Sequence, residues 1–268
     1  MKYIGMPAGK WLMFSGNFRE QLSKTLGFTP SRAKEIALLA KRKYKWIIRG
    51  LPEFEKGDRF KLNIVSCAMF SAFLLELPVR PTVDQAADYY RNAMSTGVMK
   101  AFCRMAGSRK FTRGDVRGMK KTAALNAADR NPYSWNMTFH PYADGSGYEA
   151  RFTKCGICAL MQELGLFAYV PAMCRLDYAM SEWGGASDFV RQYTLASGGP
   201  YCDCGYKKKD LHVFLWDSPL RRCAPALPVT GASQGYRAGA LTWSSPLSPL
   251  PCGCANLELC AILLASPP

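Results

Sequence analysis

The sequence predicts an α+β fold: a helical N-terminal part followed by a β-β-α-α-β-β module with a mainly antiparallel sheet. From Asn17 to about Asn126 apolar residues recur at helical spacing between capping residues. At Asn131-Pro132 the texture changes to aromatic and β-branched stretches separated by turn residues. After Lys209 neither period continues. The chain thus divides into 1–130, 131–209 and 210–268, and with 268 residues, 49% of them hydrophobic, it can bury a real core.

In the helical part, Thr29-Pro30 supplies an N-cap with proline at the first helical position. Ile36, Leu38, Leu39, Tyr44, Ile47 and Ile48 then alternate with Lys and Arg as far as Gly50, which describes an amphipathic helix with a basic outer face. Leu62 to Leu77 is apolar nearly all round and predicts a helix enclosed by others, stopped by Pro78 and Pro81. Thr82 followed by Gln85 resembles a capping box and opens a helix through Tyr89, Tyr90 and Met94. Two shorter basic helices follow around Val98 to Met105 and Asp115 to Leu125.

In the second part, Trp135 to His140 and Gly147 to Thr153 read as a hairpin joined by Ala-Asp-Gly-Ser. Cys155 to Leu164 reads as a helix closed by Gly165. A second helix begins at Pro171, carries Met173, Leu176, Met180 and Trp183, and ends at Gly184-Gly185. Phe189 to Leu195 and Tyr201 to Lys208 are expected to be strands joined by Ser-Gly-Gly-Pro. The final 59 residues hold eight prolines and four cysteines without a sustained period, so an irregular or disordered tail is expected. An out-of-frame coding region would have the same texture.

Charge separates the same parts. Residues 1–209 carry 32 Lys and Arg against 17 Asp and Glu, whereas the last 59 carry three of each. Stripes such as Arg32, Lys34, Lys41, Arg42, Lys43, Lys45 and Arg49, and again Lys100, Arg104, Arg109, Lys110, Arg113, Arg117, Lys120 and Lys121, could track phosphates. The apolar positions between them have core spacing, so solvated helix faces are the better account and nucleic acid is not the expected partner. A small anionic substrate needs only one or two of these cations.

The longest uncharged apolar run, Leu62 to Leu75, has 14 residues, short of the roughly 20 that span a bilayer. With no membrane segment and no apolar leader, a cytoplasmic location is expected. Eleven cysteines in a chain of this size suggest thiols, a metal or core packing.

The densest chemistry is Cys155-Gly-Ile-Cys158, Cys174, Asp177 and Cys202-Asp203-Cys204. Three readings stand side by side. These thiolates could form a structural zinc site. Cys155 and Cys158 at a helix start could be a redox pair. Or Cys155 could be a pocket thiol whose helix N-terminus favours an anionic group, with Asp177 as base, on the same helix face as Cys174 three residues earlier. His140, in a strand, reads more readily as a packed or surface histidine than as a catalyst.

The strings Phe152-Thr-Lys-Cys155, Gln162-Glu-Leu-Gly-Leu, Cys174-Arg-Leu-Asp177-Tyr178 with Glu182, and Thr194-Leu-Ala-Ser-Gly-Gly before Cys202-Asp203 together resemble the L-2-amino-thiazoline-4-carboxylic acid hydrolase family. The likeness is strongest over 131–209. It departs at Cys204-Gly205, where such proteins continue with a phenylalanine and a basic residue before the aromatic. The resemblance implies a hydrolase that opens a small cyclic amidine on the way to cysteine. No cofactor and no resident metal are expected, the expected substrate is a small anion, and the odd cysteine count with the apolar helix allows a homodimer. The resemblance implies Asp177 as base or orienting carboxylate and Cys155 as nucleophile or proton donor, with Cys174, Cys202, His140 and Tyr178 around the substrate. A zinc-binding or non-catalytic small-molecule module is the alternative.

Overall fold

The Oγ1 of Thr29 accepts the N–H of Arg32 and opens a 21-residue helix, Pro30–Gly50, in this computed structural model, which describes residues 6–209 apart from 56 and 128. The tail expected over 210–268 lies outside the described residues. This helix, α2, follows α1 (Pro7–Lys24), which begins ten residues before the helical pattern is legible. Trp11, Phe14, Phe18 and Leu22 form its buried stripe, but exposed Leu12 and Met13 on the other face blur the period.

Helix α3 (Lys61–Leu75) is buried on nearly every side, as an apolar run without an outer face must be. Helix α4 (Val83–Met94) starts with the full capping box: Thr82 Oγ1 accepts the Gln85 N–H, and Gln85 Oε1 accepts the Thr82 N–H. Helices α5 (Gly97–Arg109) and α6 (Arg113–Asn126) are longer than their apolar patterns: the capping threonines Thr96 and Thr112 set their starts, and α5 runs four residues past Met105.

Strands β1 (Asn136–Pro141) and β2 (Gly147–Lys154) form the expected antiparallel hairpin. At its tip the Asp144 carboxylate accepts the N–H of Ser146, and Gly145 takes φ +70°. Helix α7 (Gly156–Glu163) follows. The second expected helix is two, α8 (Val170–Cys174) and α9 (Leu176–Gly184), separated at Arg175, whose backbone stays right-handed helical.

Strand β3 (Ser187–Val190) is shorter and earlier than the run Phe189 to Leu195 suggested, and β4 is Cys202–Lys208. The reason is the Asp203 carboxylate, which takes the N–H groups of Gln192 and Tyr193 at 2.7 and 2.5 Å and so turns this segment away from the ladder. Thr194 then caps a 3-10 turn at Leu195–Ser197.

The sheet order is β1-β2-β4-β3 with every pairing antiparallel, so the fold is α+β. Alternation along the strands puts Met137, Tyr148, Ala150, Phe152, Cys202, Cys204, Tyr206 and Phe189 on the face turned to the helices, and all are buried. The other face carries Thr138, His140 and Arg151. Within the described residues, α3 packs on α7, α4 on α8, α5 on α9 and α6 on β1, so both parts of the chain share one core. No helix among the described residues is long and apolar enough to cross a membrane.

Candidate functional site

Asp177 enters on the first turn of α9, where its Oδ2 meets Arg191 Nη2 at 2.6 Å. The aspartate side chain is 2% exposed and the arginine 1%, so this ion pair is sealed from water. The guanidinium also donates to Cys204 Sγ at 3.0 Å and to the carbonyl of Cys174 at 3.4 Å, and it lies 4.3 Å above the Phe189 ring. One cation thus ties the end of α8, the start of α9 and strand β4 together. Adding a proton to Asp177 would leave that cation buried without its counter-charge, which favours an orienting carboxylate over a proton acceptor.

The other thiols surround this centre unevenly. Cys202 is two residues from Cys204 on the same face of β4, and its sulfur accepts the Leu195 N–H at 3.2 Å. Cys155 is the buried N-cap of α7 and makes no side-chain cap bond. It lies just past the end of the ladder in which Phe152 pairs with Cys202, at the same end of the sheet. Gly156 beside it is required by packing, since a Cβ there would overlap the Tyr133 carbonyl. Tyr178 is 39% exposed, and its ring meets Phe189 edge-on at 4.9 Å.

The structure therefore brings Asp177, Cys174 and Cys204 to Arg191, places Cys202 next along the strand, and sets Cys155 at the adjoining sheet end. It does not bring His140 to them. That ring is exposed on the opposite face of β1 and shares a 2.8 Å bond with Thr138 Oγ1. Among the described residues no group of three His, Cys, Asp or Glu side chains is arranged to hold a metal ion. The sulfurs of Cys202 and Cys204 instead face N–H donors.

Sequence reasoning passed over Arg191. The available signal was Asp177 itself, an acid on an otherwise apolar helix stretch, which if buried needs a cation. Two further cations, read from the sequence as lying on solvated helix faces, have an additional place: Arg109 is exposed as expected and Lys110 is half-buried. Arg109 and Lys110 line a cavity of about 240 Å³ among α5, α6, α9 and β4, together with Arg59, Asp115, Ser181 and Tyr206. The period of a helix shows which residues share a face, not whether another element covers that face.

The cavity and the sealed ion pair are neighbours. Asp177 and Ser181 are four residues apart on α9, and Cys204 and Tyr206 two apart on β4, so two elements run directly from one to the other. The Phe189 ring, 5.2 Å from that of Tyr206 and under the Arg191 guanidinium, stands between them.

These features define a class: an α+β protein with a sealed acid-arginine-thiol cluster behind a small, charged cavity. The sequence model of the L-2-amino-thiazoline-4-carboxylic acid hydrolase family matches residues 62–206, more than half of the chain, and the chain belongs to that family. The match runs from α3 to β4 and includes Lys110, Asp115, Asp177, Arg191 and Cys204, while Arg59 lies outside it. No curated protein and no solved structure matches the chain.

Proposed function

We propose that the protein is a hydrolase that opens a small cyclic amidine such as L-2-amino-thiazoline-4-carboxylate. Membership of the family carries this reading, because the matched span contains both the Asp177–Arg191 pair and the greater part of the adjoining cavity. Water adds across the ring C=N bond, its oxygen to the carbon between sulfur and nitrogen and a proton to the nitrogen. The C–S bond then breaks with its electron pair on sulfur, which takes the hydroxyl proton as the carbonyl forms. The product is a carbamoyl-cysteine, one hydrolysis from cysteine, and the proposed setting is cysteine metabolism in the cytoplasm.

In this proposal Asp177 is a positioning carboxylate that holds Arg191, and through it Cys204 and the Cys174 backbone, in one arrangement. Its complete burial supports that role rather than contact with water. Cys155, with a helix start behind it, is the thiol that the family resemblance implies, with Cys174, Cys202 and Tyr178 around the ion pair; it adjoins the Cys202 end of β4 whereas the cavity lies at the Tyr206 end, so it does not line the cavity. The exposed position of His140 gives no support for a substrate contact.

The test is to incubate the full chain with L-2-amino-thiazoline-4-carboxylate and follow loss of the ring and appearance of carbamoyl-cysteine. Asp177→Asn is expected to lower kcat, and Cys155→Ala reads whether the thiol takes part in ring opening. Turnover unchanged in both variants would remove these residues from the site, and no turnover of any cyclic amidine by the wild type would end the hydrolase reading.

A further inference from the structure

The cavity among α5, α6, α9 and β4 carries more information than its position. It holds both signs of charge. Arg59, Arg109 and Lys110 line it together with the carboxylate of Asp115. Lys110 Nζ stands 3.3 Å from the Tyr206 ring centroid and 5.3 Å from that of Tyr148, an aromatic seat that fixes where the ammonium sits. The guanidinium of Arg59 is laid along α6 where Gly118 leaves room: a Cβ at that position would lie 3.4 Å from Nη2.

Asp115 is positioned with equal care. Its Oδ2 accepts the Phe111 N–H at 2.7 Å and the Tyr148 hydroxyl at 2.7 Å. Two donors on one oxygen fix the plane of the carboxylate, and a carboxylate has about four acceptor sites in all. Phe111 reaches Asp115 by adopting φ +63°, the one positive φ of a non-glycine residue among the described residues. That conformation costs about 1–3 kcal/mol and persists only where the surroundings impose it. Here the Asp115 bond and a 5.2 Å contact between the Phe111 and Tyr148 rings impose it, between two residues, Lys110 and Thr112, that line the cavity.

Size and charge together select the ligand. About 240 Å³ is below the roughly 300–1,000 Å³ of pockets that take drug-sized ligands, so the occupant is a small metabolite. Three cations against one carboxylate favour an anionic group, but a plain anion such as phosphate would leave Asp115 without a partner of opposite charge. A plain cation would be repelled by all three basic side chains. A molecule with a carboxylate at one end and a protonated amidine at the other satisfies both, and the planar N–C–N edge of an amidine pairs with a carboxylate as a guanidinium does.

We infer that this cavity is the substrate-binding site and that it takes a small zwitterion, its carboxylate on Arg109 and Lys110 with Arg59 and its cyclic amidinium on Asp115. The assignment rests on the hydrolase reading for the identity of the zwitterion and deepens it. Asp115 is thereby the residue that distinguishes an amidine from its neutral oxygen analogue.

The experiment titrates the full chain calorimetrically with three probes: L-2-amino-thiazoline-4-carboxylate, 2-amino-thiazoline lacking the carboxylate, and 2-oxothiazolidine-4-carboxylate lacking the amidine. Arg109→Gln combined with Lys110→Gln is expected to weaken both carboxylates about tenfold or more, as loss of charge-assisted bonds does. Asp115→Asn is expected to weaken the amidine carboxylate by a similar factor and leave the oxo compound within about twofold. Arg109→Gln alone, at an exposed position, serves if the double variant does not fold. Folded variants that bind all probes as the wild type does overturn the assignment, and so does a wild type that binds none. Ring opening at an unchanged KM in every variant removes this cavity while leaving the hydrolase reading in place. Binding with the expected pattern but without ring opening supports the cavity and removes the hydrolase.

Discussion

Arg191 and Asp177 meet at 2.6 Å with both side chains almost wholly buried, and the arginine joins a loop after β3 to the first turn of α9. A buried pair of this kind contributes little beyond what a well-packed apolar pair would, yet breaking it is costly because one charge is stranded. Asp177→Leu or Arg191→Met alone is therefore expected to lose about 3–5 kcal/mol in urea denaturation, and the double variant Asp177→Leu with Arg191→Met to recover most of it. Additive losses in the double variant would show that the two side chains do not act as a pair.

Gly107 and Gly184 bring α5 and α9 into backbone contact at one end of the cavity, and a Cβ on residue 107 would overlap the Gly184 carbonyl. Helix α9 cannot move aside without disturbing the core it shares with α4 and β3. Gly107→Ala should destabilise the protein by about 1–3 kcal/mol, although alanine is the better helix former. Thermal unfolding unchanged or raised in that variant would mean the helices are not this close in solution.

Asp58 precedes α3 and is buried, with Oδ1 accepting the Phe60 N–H and Oδ2 the Ser134 hydroxyl, each at 2.7 Å. Burial pushes its carboxyl above the ordinary 3.8, and the bonds from Ser134 and Phe60 only partly offset this. The unfolded chain then releases its proton at lower pH than the folded one. The stability contributed by this group is fully present below about pH 4, is lost as pH rises through the raised folded value, and stays lost at neutral pH. Urea denaturation of wild type and Asp58→Asn from about pH 3.5 to 7 should show a difference that grows in favour of asparagine as pH rises, levelling at neutrality. A flat difference would rule this out.

Cys67 lies inside α3, 3.9 Å from Ser71 Oγ, and burial pushes its thiol up to about 12. It is expected to resist alkylation in the native protein at pH 8 and to react only on global unfolding, a distinction readable by mass spectrometry of timed labelling. Rapid labelling in native buffer would count against the packing described for α3.

Much of the fold was legible from local signals. Thr29-Pro30, the Thr82–Gln85 capping box, the closed apolar run of α3 and the Ala-Asp-Gly-Ser hairpin link each state a structure within a few residues of themselves. The errors fell where distant groups intervened. Asp203 captures the Gln192 and Tyr193 N–H groups and ends β3 at Val190, a competition between a side chain and a ladder that no pattern in 189–195 announces. The start of α1 was hidden by exposed Leu12 and Met13, whose position away from the core depends on what covers the other face.

The candidate site divides in the same way. Asp177, Cys155, Cys174 and Cys202 stood out because their residue types and motif order point to chemistry, and the family match spans all four. By itself the sequence determined the α+β order of helical part and sheet module, the Thr29 and Thr82 caps, the family and Asp177 as an acid of interest. Only the tertiary structure decided that the partner is Arg191, that His140 faces away, and that Arg109, Lys110 and Asp115 enclose a cavity. The physical reason is range: caps and periodicity act over a turn of helix, whereas an ion pair or a cavity depends on which elements meet, and that is settled by packing the whole core.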